Sequence, residues 1–194
     1  MSGAAEIGAE RAAHLIAARE ARHAAGLARL NALPEAEAVE ALTRCCGAAR
    51  WVRAMAAQRP FASSWALLIA ARTEWVKAGR EEILEAFGHH PRIGDLDSLR
   101  SKFASTAAWA SGEQRGAEGA DDQLLRNLAE GNAEYQAQFG WIFIVCATGK
   151  SAREMLGLLW ERLENPPDLE LQIAAAEQEK ITRLRLEKLL EGEP

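Results

Sequence analysis

DLELQIAAAEQEKITRLRLEKLL, residues 168–190, contains neither glycine nor proline. It is built mainly of Leu, Ala, Glu, Gln, Lys and Arg, the residue types that lose least on entering an α-helix. Ile181, Arg185 and Leu189 recur at i+4 intervals and share one helical face. Asp168 follows Pro166-Pro167 and is placed to cap the segment, which predicts a helix from Asp168 to about Leu190. The same composition extends upstream. Asn165-Pro166-Pro167 stops an earlier helix that Ser151 and Glu154 open as a capping box. Trp141 to Ala147 is apolar on every face and reads as fully buried, with helix and strand equally compatible. Asp121 or Asp122 caps a long helix to Gln138, closed by Gly140. Gly112, Gly116 and Gly119 punctuate a loop, and Asp95 to Ala110 is helical in part. Arg80 to Phe87, Ser63-Ser64 to about Lys77, Ala48 to Gln58 and Glu35 to Cys46 read as further helices, bounded by Gly79, Pro60 and Gly47. Residues 4–29 read as a helix or a loosely attached extension, broken at Leu30 to Pro34. β-branched residues are sparse and no useful alternating strand occurs. The expectation is an all-α, single-domain helical bundle of eight or nine helices without significant sheet.

The chain has 194 residues, 48% of them hydrophobic, enough for one sizeable core. Its formal net charge is −5 and no Lys/Arg block occurs, which argues against nucleic acid as a partner. A small anionic substrate remains compatible, because a few local arginines outweigh a weak global field. Cys45, Cys46 and Cys146 are odd in number and two are adjacent, which is no disulfide framework. They read as small buried residues of a reducing compartment. The start of the chain has no basic stretch leading an apolar one, and the longest apolar run, Trp141 to Ala147, is too short to span a bilayer. The expectation is a soluble, cytoplasmic protein that does not enter membranes.

Four stretches carry possible chemistry. Phe87-Gly88-His89-His90-Pro91-Arg92-Ile93-Gly94-Asp95 places two imidazoles, the natural proton carriers at physiological pH, at a helix end. Pro91 disfavours the helical conformation at His90. The plain alternative is a solvated helix terminus. A metal reading would use His89, His90, Asp95 and Asp97, but neither HxH nor HExxH spacing is present. Ala110-Ser111-Gly112-Glu113-Gln114 offers a carboxylate and a carboxamide to a polar ring edge, or is simply a solvated loop. Asn132 and Tyr135 face one way on a helix, and Phe139, Phe143 and Ile144 either wall a pocket or pack in the core. Arg185, on a partly apolar stripe, is a rim residue or an anion clamp.

Taken together, these stretches resemble the 2-oxo-4-hydroxy-4-carboxy-5-ureidoimidazoline (OHCU) decarboxylase family. The ordered match begins at Leu30-Asn31 and runs through Cys45-Cys46-Gly47, Arg50-Trp51, Arg59-Pro60-Phe61 and His90 to Asp95. It continues with Glu113-Gln114, Asn132, Tyr135, Phe139-Gly140, Phe143-Ile144, Arg162 to Asn165, and Ile181 to Leu186. Residues 1–28 lie outside it as an N-terminal helical extension, and 29–194 form the family-like domain. The resemblance implies an all-helical enzyme of urate breakdown, usually a homodimer, needing no metal or organic cofactor. It implies that His90, rather than His89, is catalytic, with Glu113 and Arg185, Arg183 being the alternative register for the arginine. It implies substrate contacts from Pro91, Gln114 and the stretch holding Phe139, Phe143 and Ile144. The family's serine three residues before the glutamate is Ala110 here, with Ser111 one residue later. The rival classes are a metal-dependent hydrolase using His89, His90 and Asp95, and a non-catalytic helical interaction protein.

Overall fold

The computed structural model describes residues 3–90 and 118–192. Among the described residues there are eight helices and no strand. They are α1 (Gly3–Ala32), α2 (Glu35–Cys45), α3 (Ala49–Ala57), α4 (Ser64–Val76), α5 (Arg80–Gly88), α6 (Glu118–Phe139), α7 (Ala152–Leu163) and α8 (Pro167–Glu191). Local signals account for several of their ends. The Ser63 side chain accepts from the Ala66 amide at the start of α4. Ser151 and Glu154 form the full reciprocal capping box of α7. Gly140 closes α6 at φ 84°, a conformation that favours glycine.

Three ends differ from the sequence-based expectation. Helix α1 continues to Ala32, so the break falls at Leu33-Pro34. Helix α6 is described from Glu118 onward, so Asp121 and Asp122 lie within it. Helix α8 begins at Pro167, whose missing N–H costs nothing at a first helical position, and Asp168 sits in the first turn. The segment 142–147 is neither helix nor strand. Side chains take up its backbone groups instead: Arg162 Nη1 donates to the Ile144 carbonyl at 2.7 Å, and the Cys146 amide donates to Glu177 at 2.7 Å. Ile142 and Ala147 are only half-buried.

The chain divides into two units, residues 1–83 with 179–194, and residues 84–178. In the first, Leu42, Trp51, Met55, Leu67, Leu186 and Leu190 are fully buried. Several residues of the family-like pattern are its ties. Asn31 donates to the Phe61 carbonyl and accepts the Phe61 amide, both at 2.9 Å. Arg59 Nη1 donates to the Leu30 and Leu33 carbonyls at 2.8 Å, covering the end of α1. Trp51 Nε1 donates to the Ala71 carbonyl. Buried Glu74 accepts from Arg50, Gln58 and Lys77, and Arg50 also pairs with Glu82. Helix α1 is more than a loose extension here. Arg19 pairs with Glu187, His23 Nε2 lies 3.2 Å from Glu191, and a Cβ at Gly26 would overlap the Leu190 backbone.

In the second unit, Tyr135, Phe139, Trp141 and Phe143 are buried side by side. Ring centroids are 4.6 Å apart for Tyr135–Phe139 and 5.1 Å for Tyr135–Phe143. The Arg162 guanidinium stands 4.6 Å over the Phe143 ring. It donates through Nε at 2.8 Å to Glu170, a fully buried carboxylate that also accepts from Tyr135 and Asn165. All three cysteines are buried thiols, and burial pushes Cys45 up to about 12.

The buried stripe of α8 is Glu170, Ala174, Gln178, Thr182, Leu186 and Leu190, every fourth residue. Each step of four overshoots a full turn by about 40°, so the stripe winds round the helix. Ile181, Arg185 and Leu189 lie half-buried beside it.

Candidate active site

Helix α5 ends as Pro91 requires. The His89 and His90 amides donate to the Ala86 and Phe87 carbonyls at 3.2 and 3.1 Å, a tightened closing turn. Consecutive residues at such an end point in different directions, and the two imidazoles fare differently. His89 is exposed, whereas His90 is half-buried. His90 Nε2 lies 2.6 Å from the side-chain oxygen of Gln178, which is fully buried on α8. An amide oxygen only accepts, so Nε2 carries the proton in this arrangement.

His90 also lines a cavity of about 240 Å³ in the second unit. Among the described residues its wall is Leu84, Phe87 and Gly88 of α5, Gln136 of α6, and Gly140, Trp141 and Ile142 beyond it. This wall is predominantly apolar, with one imidazole and one carboxamide. An apolar wall of this kind disfavours water around an entering group, and among the described residues it presents one proton carrier, His90.

The other expected site residues are placed as follows. Phe139, Phe143 and Ile144 are buried, the two rings in the aromatic cluster and Ile144 with its carbonyl held by Arg162. Their neighbours Gly140, Trp141 and Ile142 reach the cavity. Asn132 is half-buried and returns its side chain to the Leu128 carbonyl. Arg185 belongs to the first unit and is half-buried, with Nη1 donating to the Arg44 and Cys45 carbonyls at 3.3 and 3.5 Å, the last turn of α2. A cation there suits the negative end of the helix. Arg183 is exposed and lines a different cavity of the first unit, with Trp65, Arg72 and Glu187. Pro91, Asp95, Asp97, Ala110, Ser111, Glu113 and Gln114 lie outside the described residues, as does the expected helix within 95–110. Among the described residues no three His, Cys, Asp or Glu side chains are grouped to hold a metal ion. Gln178 carried no sequence signal. It is one glutamine in a helix rich in polar residues, and its partner lies far away in the chain.

Fold and cavity thus define a class: an all-helical protein that holds a half-buried histidine, at the end of a short helix, against an apolar pocket. The sequence profile of the OHCU decarboxylase family matches residues 31–187, and the chain belongs to that family. It is 40% identical to the uric acid degradation bifunctional protein TTL of Arabidopsis thaliana, over 75% of this chain and 45% of that protein. The chain therefore spans less than half the length of that relative. It is 34% identical to the 2-oxo-4-hydroxy-4-carboxy-5-ureidoimidazoline decarboxylase of Amia calva, over 69% of this chain and 75% of that one. A solved OHCU decarboxylase, crystallised in the presence of (S)-allantoin, superposes with a TM-score of 0.61 at 39% identity, covering 76% of this chain and 95% of the other.

Proposed function

We propose that this protein decarboxylates OHCU to (S)-allantoin in urate breakdown, without a metal or organic cofactor. The observation that carries the proposal is His90: of two adjacent histidines, it alone is half-buried and lines a largely apolar cavity, in a chain of this family.

Decarboxylation leaves an electron pair on carbon. Here the substrate provides the sink. As the C–CO₂ bond breaks, CO₂ leaves and its bonding pair forms a C=C bond to the ureido-bearing carbon, while the former C=N pair moves to the ring nitrogen, which takes a proton from water, and an enol remains. The carbon bearing the ureido group then takes a proton on one face, the enol hydroxyl loses its proton, and a ring carbonyl results. The protein's work is orientation, desolvation and proton delivery. His90 contacts the carboxylate and neighbouring hydroxyl and handles the hydroxyl proton, a role typically worth about 10²–10⁴-fold. Arg185 donates a planar pair to ring or ureido oxygens and draws charge from the reacting carbon. Glu113 accepts from ring or ureido N–H groups. Pro91, Ser111, Gln114 and the stretch holding Phe139, Phe143 and Ile144 complete the substrate contacts.

Freshly prepared substrate, followed by absorbance and circular dichroism, tests this. Protein should yield enantiopure allantoin where unaided decay yields racemate; a racemic product at the unaided rate refutes the proposal. Dialysis against a chelator should leave turnover unchanged, and loss restored by zinc would favour the hydrolase reading. We further propose a cytoplasmic homodimer. No helix among the described residues is long and apolar enough to cross a membrane. In the first unit Trp65, Ile69 and Val76 of α4 are exposed, Trp65 at 70%, an unusual apolar stripe for a solvated helix. Light scattering of the wild type and of Trp65→Glu checks the assembly.

A further inference from the structure

We propose that Gln178 sets the tautomer of His90: its side-chain oxygen holds the proton on Nε2 and leaves Nδ1 as the basic nitrogen of the ring. The proposal rests on the reading of His90 as the catalytic group. Gln178 is then a positioning residue, acting through the imidazole and not on the substrate.

A neutral imidazole has two tautomers, and which one is present follows from the hydrogen bond made by the other nitrogen. At the end of α5 the backbone bonds from the His89 and His90 amides hold the main chain, and leave rotation of the His90 ring to be settled by its side-chain contacts. The 2.6 Å contact from Nε2 to the Gln178 oxygen fixes that rotation. Gln178 is itself well held. It is fully buried on the inward stripe of α8, four residues from Ala174 and four from Thr182 on the same winding row. Its partner arrives from a separate helix end that also walls the cavity. The chemistry of the acceptor matters too. A carboxylate at this place would pair with the imidazolium and favour the charged ring, as in serine-protease triads. A carboxamide oxygen orients the ring and assigns its proton while bringing no charge, which suits a group that takes one proton and returns it within a turnover.

Nitrogen-15 NMR of the full chain reads this directly, with the His90 signals identified by their loss in His90→Asn. At neutral pH the wild type should show protonated Nε2 and unprotonated Nδ1. The opposite pattern overturns the proposal, whether or not any variant folds. Gln178→Leu, checked for folding by circular dichroism, should lower kcat at least about tenfold, part of the roughly 10²–10⁴-fold that a positioned proton carrier supplies. KM should stay within about twofold, and the tautomer signature should become mixed. Gln178→Glu replaces the acceptor oxygen and should retain the Nε2–H signal, with kcat nearer the wild type than in the leucine variant. A folded Gln178→Leu protein with wild-type kcat overturns the role of Gln178 while an inactive His90→Asn leaves the proposed function standing. A fully active His90→Asn protein removes both.

Discussion

Two neighbouring histidines show how much a single residue's setting decides. His89 and His90 share a chemistry and a helix end, but one is exposed and the other lines a cavity with its Nε2 engaged. His90→Asn should lower kcat by at least about 10²-fold, the lower end of what a positioned proton carrier contributes. His89→Asn should leave it within about twofold. Thermal unfolding of His89→Asn should match the wild type, because that side chain is exposed. A His90→Asn enzyme turning over at the normal rate would end the catalytic assignment. Arg185→Lys probes the second proposed group. Lysine keeps the charge but not the planar fork, so kcat/KM should fall at least about tenfold while the protein stays folded. Near-normal kinetics would move the role to Arg183. The place of His90 at a helix end was legible from the His-Pro pair, because Pro91 acts on the backbone immediately before it, whereas its choice over His89 came from the family's pattern. Gln178 was not legible, because its meaning depends on a partner brought by folding. The proposed role of Glu113, which lies outside the described residues, rests on the family's pattern alone.

At the scale of helices, the interior ties follow from side chains whose partners lie on other elements. Arg162 of α7 and Glu170 of α8 are both buried, joined by Tyr135 of α6 and Asn165 between the helices. Removing one partner strands a charge in a low-dielectric site. Arg162→Met should therefore destabilise by about 3–5 kcal/mol, visible as a lower urea midpoint at unchanged slope. A midpoint within experimental error of the wild type would show that the pair is not desolvated as it stands here. Helix α1 gives a second case. At Gly26 there is no room for a Cβ against the Leu190 backbone, so α1 and the end of α8 touch main chain to main chain. Gly26→Ala raises intrinsic helix propensity by about 1 kcal/mol. It should still loosen α1, seen as faster amide exchange and proteolysis within residues 11–30. Unchanged protection there would mean that the close approach is not needed for docking. Helix existence was legible because composition and caps act within a few residues. Helix α8 starts one residue ahead of Asp168 because Pro167 gives up no hydrogen bond at a first helical position.

At the scale of the whole molecule, charge balance sets the response to acid. Lys77, by its hydrogen bond, and Arg50 hold the Glu74 carboxyl below the ordinary carboxylate range, against the opposing pull of burial. A depressed folded-state value means that the unfolded chain binds a proton first as pH falls. The stabilisation from Glu74 is therefore complete above the unfolded carboxylate range and disappears as pH drops through the lower, folded value. Glu74→Gln should flatten the loss of stability between about pH 5 and pH 3 relative to wild type. Urea titrations at several pH values measure it. Parallel curves for the two proteins would exclude Glu74 from the acid response.

Helicity, the place of most helices and the position of His90 at a helix end were already written in the order of the residues. Those are consequences of periodicity, propensity and capping, which operate over a few residues. Folding was needed to make Arg59, Asn31 and Trp51 framework ties, to run residues 142–147 as irregular backbone, and to bring a glutamine far along the chain to His90. Such contacts close across tens of residues, where the selecting force is the satisfaction of buried polar groups, and that is settled only once the surrounding helices have packed.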